Sequence, residues 1–255
     1  MNSYELYEKL SEKYPGELSC GWDNDGIMVS PGPVSEVERV LVVLDATEDA
    51  LIYAAENGFD TVITHHPMIF SPLKSVTPEV NTGRKAIFAL MNGITVMSFH
   101  TRLDAAKGGV NDALAEVLEL SDVAPFGDAE CPTMGRIGTV EGFTVGSFYE
   151  KVKEKLSPSA VCFTADGDQP CRRVALLGGA GKDFIYAARD AGADVFVTGE
   201  ASYNALLDAA ENSVSVITAG HYETEDPVCK KLVEAVKELA PDVYVEVLSG
   251  FNNSI

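Results

Sequence analysis

At 255 residues, 46% of them hydrophobic, the chain can build a full core in one large domain or two small ones, which excludes a disordered segment. Its 39 acidic against 19 basic residues give a formal charge of −20. With no Lys/Arg cluster to offset it, that charge excludes nucleic acid and anionic membranes as partners. There is no apolar run of membrane-spanning length and no signal-peptide core near Met1, so a cytoplasmic protein is expected. The five cysteines, Cys20, Cys131, Cys162, Cys171 and Cys229, are odd in number and lack C-x-x-C spacing. That pattern predicts reduced thiols and argues against a thiolate metal site.

The predicted elements alternate strand and helix. Ser3 is read as the cap of a first helix, Tyr4 to Tyr14, with Leu6 and Leu10 on one stripe and Pro15-Gly16 as its stop. Trp22-Asp23-Asn24-Asp25-Gly26 is a turn before the strand 27–29. Val40 to Leu44 is a continuous apolar run, as for a strand buried on both faces. Thr47, Glu48 and Asp49 start a helix that Gly58 ends. Thr61-Val62-Ile63 is the next strand and runs into Thr64-His65-His66-Pro67. A polar loop follows over 71–83, then a helix from Arg84 to Met91. The strand 94–97 leads to His100 and Asp104, and Gly108-Gly109 opens a helix ending at Leu118. This order predicts an α/β fold with a largely parallel sheet.

The second half echoes the first. Tyr149-Glu150-Lys151-Val152 repeats Tyr7-Glu8-Lys9-Leu10, Arg173-Val174 repeats Arg39-Val40, and Ile185-Tyr186-Ala187-Ala188 repeats Ile52-Tyr53-Ala54-Ala55. Ala193 to Thr198 likewise repeats Phe59 to Thr64. The expectation is therefore two similar α/β units from an internal repeat, 1–127 and 128–255, with layered sheets flanked by helices.

All four histidines stand at the polar ends of strand-like runs. Imidazole with carboxylate, without thiols, is a ligand set for zinc, iron, manganese or nickel. In the repeat His100 matches His221 and Asp104 matches Glu225, so each half offers His-x-x-x-carboxylate. Only the first half has a His-His pair, whose counterpart is Gly199-Glu200. Adjacent strand residues point to opposite faces, and Pro67 breaks the strand so that His65 and His66 can both serve a metal. The bland alternatives are a hydrogen-bonded histidine pair in a loop, and helix capping for Asp104 and Glu225. His100 is read as a ligand, as a group that positions water, or as a hydrogen-bond partner of Asp104. Gly178-Gly179-Ala180-Gly181-Lys182 stands where backbone N–H groups bind anions, yet it fits neither the Walker nor the dinucleotide pattern and is read as a tight turn.

Several of these stretches together resemble the Nif-three-like family, whose members are often labelled GTP cyclohydrolase 1 type 2 homologues. They are Trp22-Asp23-Asn24, Thr64-His65-His66-Pro67, His100-Thr101-x-Leu103-Asp104 with Gly108-Gly109-Val110-Asn111-Asp112, Thr198-Gly199-Glu200, and Gly220-His221-Tyr222-x-Thr224-Glu225. The resemblance covers nearly the whole chain. It implies a dinuclear site of two divalent metal ions, with His65, His66, Asp104, His221 and Glu225 as ligands and a carboxylate bridging. It also implies a site-lining position for His100, two similar α/β halves, and a toroidal hexamer built as a trimer of dimers. The short link near 123–133 leaves no room for the PII-like domain that some members insert. Asp25 departs from the family pattern, which has a small or apolar residue after Trp-Asp-Asn.

Two functional classes follow. One is a metal-dependent hydrolase acting on a small purine-like or phosphorylated molecule, with His100, or a carboxylate released from bridging, as the catalytic proton carrier. The other is a non-catalytic metal-binding regulatory or interaction protein.

Overall fold

A computed structural model describes residues 1–32, 36–164 and 167–250. Its strands, in chain order, are β1 (Gly26–Val29), β2 (Arg39–Val43), β3 (Thr61–Thr64), β4 (Thr95–Ser98), β5 (Ser121–Phe126) and β6 (Gly135–Thr144), followed by β7 (Cys162–Phe163), β8 (Pro170–Leu177), β9 (Val195–Thr198), β10 (Val216–Thr218) and β11 (Tyr244–Val247). They form two sheets in two compact units. One unit is Met1–Leu103 with the chain from Cys229 on; the other is Asp104–Val228.

In the first unit the sheet order is β1-β4-β3-β2-β11. The apolar runs in β2, β3 and β4 pair in parallel, Val43 opposite Thr64 and Thr64 opposite Ser98. Parallel neighbours need a crossover, supplied by the helices Glu48–Glu56 and Asn81–Met91. Those helices bury Leu51, Ala54 and Ala89 in one core with Leu41, Phe59, Val62 and Val96. β1 closes one edge antiparallel to β4.

In the second unit the order is β5-β6-β8-β9-β10-β7. Here β8, β9 and β10 are the parallel core, with β6 and β7 antiparallel at its flanks. Phe148, Val152, Val174, Leu176, Val197 and Ile217 fill the space beneath the helix Val145–Leu156.

The fold is therefore α/β, two sheets flanked by helices, and the repeat shows in detail. Before β3, Asp60 accepts the backbone N–H groups of Glu38 and Arg39 (2.7 and 2.9 Å). Before β9, Asp194 accepts those of Arg172 and Arg173 (both 2.8 Å). The compact units nevertheless do not coincide with the repeat halves 1–127 and 128–255. β11 pairs with β2, Tyr244 opposite Arg39 through Val247 opposite Val42, so the end of the chain returns to the first sheet.

Three local expectations change. Asn2, not Ser3, caps the first helix, Ser3–Lys13, in a box with Glu5; Ser3 is buried instead. The third helix begins at Asn81, not Arg84, with Gly83 pressed on Thr77: a Cβ there would lie 2.6 Å from the Thr77 carbonyl. Two five-residue helices, Thr101–Ala105 and His221–Glu225, stand where the sequence reading assigns no element. None of the described helices is long and apolar enough to cross a membrane.

Candidate metal centre

Every histidine lies just past the carboxyl end of a parallel strand, the end at which open α/β sheets present their ligand sites. β3 ends at Thr64, whose hydroxyl shares a hydrogen bond with Ser98 (2.7 Å) and donates to the His66 carbonyl (2.7 Å). That pins the backbone where the His-His pair leaves the sheet. His65 is fully buried, and its Nδ1–H donates to the Phe99 carbonyl (2.9 Å). A carbonyl can only accept, so the neutral ring carries its lone pair on Nε2. His66 Nδ1 meets Asp45 at 2.9 Å and His100 Nδ1 meets Asp23 at 2.7 Å. Both contacts favour the same tautomer in a neutral ring. Ligand atoms of His65, His66 and His100 fall within 4.8 Å of one another.

Asp23 also accepts the backbone N–H and hydroxyl of Thr101 (3.0 and 2.5 Å). Burial pushes its carboxyl pKa up, but the hydrogen bonds from His100 and Thr101 outweigh that, and the net shift is well below the usual carboxylate range. Asp23 is thus held ionised against the imidazole. The partner of His100 Nδ1 is this residue; a hydrogen bond to Asp104 is one of three readings the sequence leaves open. Asp25 is explained too: it takes a bidentate contact from the buried Arg102 guanidinium (2.5 and 2.6 Å), and its charge is consumed there.

The second unit gathers Asp104, His221 and Glu225. The two carboxylates approach within 4.8 Å. His221 and Glu225 are the first and last residues of the helix His221–Glu225, one turn apart, with Nε2 3.2 Å from Oε2. His221 Nδ1 meets Glu200 at 3.1 Å. Glu200 stands at the repeat position of His66, so the second unit supplies an imidazole's orienting carboxylate where the first supplies another imidazole. Asp104 and Glu225 each lie near the end of a five-residue helix, Thr101–Ala105 and His221–Glu225, and each is followed by the longer helix the sequence pointed to, Val110–Val117 and Pro227–Leu239.

The glycine-rich turn belongs to this cluster. Gly178 N–H donates to Asn111, Gly179 N–H to Thr224 and Gly181 N–H to Thr198 (2.8, 3.1 and 2.9 Å). With those donors engaged inside the protein, the turn is no phosphate cradle. Gly179 has φ +66°, and a Cβ on it would meet Glu225 Oε1 at 2.1 Å and His221 Nε2 at 3.0 Å. It is glycine because the backbone passes directly against the two donor groups.

Gly108-Gly109-Val110-Asn111-Asp112 acts at the other side. Asn111 donates to the carbonyls of Asp104 and Met134 (3.2 and 2.7 Å). Asp112 accepts from Gly108 N–H and from the buried Arg136 (both 2.5 Å). Arg136 in turn donates to the carbonyls of Ala105 and Ala106 (3.1 and 2.7 Å), satisfying the last turn of the helix that carries Asp104.

Sequence reasoning missed Asp45 and the roles of Asp23 and Gly179. Asp45 had a signal: it is a carboxylate two residues beyond a buried parallel strand. The fit to a metal rests on donor chemistry. All four imidazoles have Nδ1 against an oxygen, three of them a carboxylate, which is how proteins orient metal-binding histidines. The histidine and glutamate groups present thus have the donors to hold a metal.

The chain is similar to known proteins over nearly its whole length. The family model of Duf34/NIF3 (NGG1p interacting factor 3) matches residues 1–253. A "GTP cyclohydrolase 1 type 2 homolog" from Clostridium perfringens is 32% identical over 93% of this chain and 92% of its own length. A "Protein NIF3 homolog" from Schizosaccharomyces pombe is 31% identical over 97% and 95%. Among solved structures, Staphylococcus aureus protein SA1388 superposes with a TM-score of 0.91 at 25% identity, covering 100% of this chain and 98% of that one. Reduced HcgD from Methanocaldococcus jannaschii gives 0.84 at 28% identity, with 98% of both chains covered. On this match, which spans both sheets and every histidine, the chain belongs to the Duf34/NIF3 family.

Proposed function

We propose that His65, His66, Asp104, His221 and Glu225 together ligate two divalent ions (zinc, iron, manganese or nickel), and that the protein is a metal-dependent hydrolase of a small purine-like or phosphorylated molecule. The observation that carries this reading is the shared orientation of the four imidazoles, each held through Nδ1 by an oxygen. Relatives named GTP cyclohydrolase 1 type 2 homolog support the hydrolase class. Bound metal would supply an acidified water and stabilise an oxyanion.

The chain's own residues do the rest. Asp45 and Glu200 keep His66 and His221 in the ligating tautomer. Asp23 does the same for His100, whose ring then accepts a proton at Nε2 and returns it, the imidazolium being stabilised by the ionised carboxylate on its other nitrogen. The same reading carries a cytoplasmic homo-oligomer, a toroidal hexamer assembled as a trimer of dimers, which the light-scattering mass of the purified chain tests.

The functional test is metal analysis followed by turnover of nucleotide, purine and phosphoester substrates before and after chelation. Activity lost on chelation and restored by metal is the expected result. A fully loaded protein that turns over none of these leaves the non-catalytic metal-binding role in place of the hydrolase.

A further inference from the structure

Trp22-Asp23-Asn24 contains one residue that the metal centre does not use. Asp23 fixes His100. Asn24 Nδ2 donates to the Ile69 carbonyl at 2.5 Å, which ties this turn to the loop bearing Phe70. Directly before these two anchors stands the chain's single tryptophan, 65% exposed, beside Phe70, 52% exposed. Scattered apolar side chains on a surface are ordinary, but two adjoining large rings on segments tied together by the Asn24–Ile69 hydrogen bond are not.

The Trp22, Phe70 and His100 rings are mutual neighbours. Trp22 and Phe70 are 6.2 Å apart at 63°, Trp22 and His100 6.3 Å at 76°, and Phe70 and His100 6.2 Å at 89°. The two exposed rings are thus inclined to one another, each within 6.3 Å of the imidazole.

We infer that Trp22 and Phe70 form a binding corner for a planar heteroaromatic ring, which stacks on one of them and presents its reacting group to His100; the last clause rests on the hydrolase reading above. The chemistry selects the ligand class. Every flat heterocycle has a π-face that an indole can stack upon. A phosphate would find only the single neutral indole N–H on these two rings and no cation, since the nearby Arg102 is spent on Asp25. A quaternary ammonium would suit bare aromatic rings, but divalent ions beside His100 would repel it.

Because Trp22 is the only tryptophan, its fluorescence reports on the corner directly. The full-length, metal-loaded chain is titrated with guanosine, uridine and nicotinamide, and with ribose 5-phosphate as the non-aromatic control. Free N-acetyltryptophanamide calibrates collisional quenching. At least one heterocycle is expected to change the emission saturably while ribose 5-phosphate does not. Phe70→Ala should weaken that binding about tenfold, whereas Phe70→Tyr keeps it. Calorimetry on Trp22→Phe and Trp22→Ala, both folded by circular dichroism, should retain and lose binding respectively.

The inference is overturned if all three heterocycles quench linearly as they quench the free compound, or if ribose 5-phosphate saturates equally. It is overturned too if the emission follows protein concentration alone, which assigns Trp22 to contact with a second copy. Metal content measured on the same samples separates the two readings. Metal without a heterocycle response sinks the corner alone, and a saturable heterocycle response in a chain that never binds metal sinks the metal centre alone.

Discussion

Gly179 is a residue at which the candidate site leaves no room for a side chain. Any side chain there must adopt a left-handed φ of +66° and displace Glu225 Oε1, 2.1 Å from the new Cβ. Gly179→Ala is expected to lose about 1–3 kcal/mol of stability and to lower metal content, measured by urea unfolding and elemental analysis. Asp23 gives a pH signature. Its folded pKa lies below the ordinary 3.8, so its contribution to stability is fully present above that value and fades as pH falls through the lower, folded one. In metal-free protein, Asp23→Asn should cost about 2 kcal/mol near neutral pH. The difference from wild type should stay level down to about pH 4 and shrink below it. A gap that closes instead on the alkaline side would show that the carboxylate is not the stabilising species.

At the scale of elements, the segment that carries Asp104 depends on a residue far along the chain. Arg136 satisfies the carbonyls of Ala105 and Ala106 and pairs with Asp112 while itself buried. Arg136→Met should cost about 3–5 kcal/mol, the usual result of stripping one partner from a buried ion pair. Arg136→Lys should recover little, since an ammonium cannot span the fork. Urea unfolding of both variants measures this.

The same segment shows what a sequence reveals and what it hides. β2, β3 and β4 were legible because strands buried on both faces read as unbroken apolar runs. The histidines were legible as a site because they terminate those runs. The helices Thr101–Ala105 and His221–Glu225 were not, because five residues are too short for a 3.6-residue period to register. Their His-x-x-x-carboxylate spacing was therefore read without the helical turn that explains it. β5 was missed because Asp122 and Pro125 interrupt it and most of it is exposed. The turn at 178–182 was read correctly as a turn, but only the fold reveals that Glu225 and His221 require its glycine.

On the scale of the whole molecule, the chain closes its first sheet last. β11 covers the open edge of β2, so truncation after Asp242 should expose a parallel strand edge and leave the first unit prone to self-association. Light scattering should rise and the unfolding transition should broaden. A truncated chain as monodisperse and stable as the full one would show that β11 is dispensable. None of the five cysteines is in a disulfide, and burial, helped by Asp194, pushes the Cys171 thiol up to about 12. Thiol reagents should therefore find exposed Cys162 first in the native protein, miss Cys171, and count five thiols after denaturation.

The central claim is a division of labour. In the proposed function, Glu225 and its repeat partner Asp104 would hold metal, and a carboxylate shared by two cations would neutralise both. His100, held by Asp23, would move protons instead. Metal content per chain, measured side by side for wild type, Glu225→Ala and His100→Ala, tests this most directly. Wild type should carry two ions, Glu225→Ala should lose at least one, and His100→Ala should keep most of its metal while losing turnover. If His100→Ala strips metal as fully as Glu225→Ala, His100 is a ligand and the assignment is wrong.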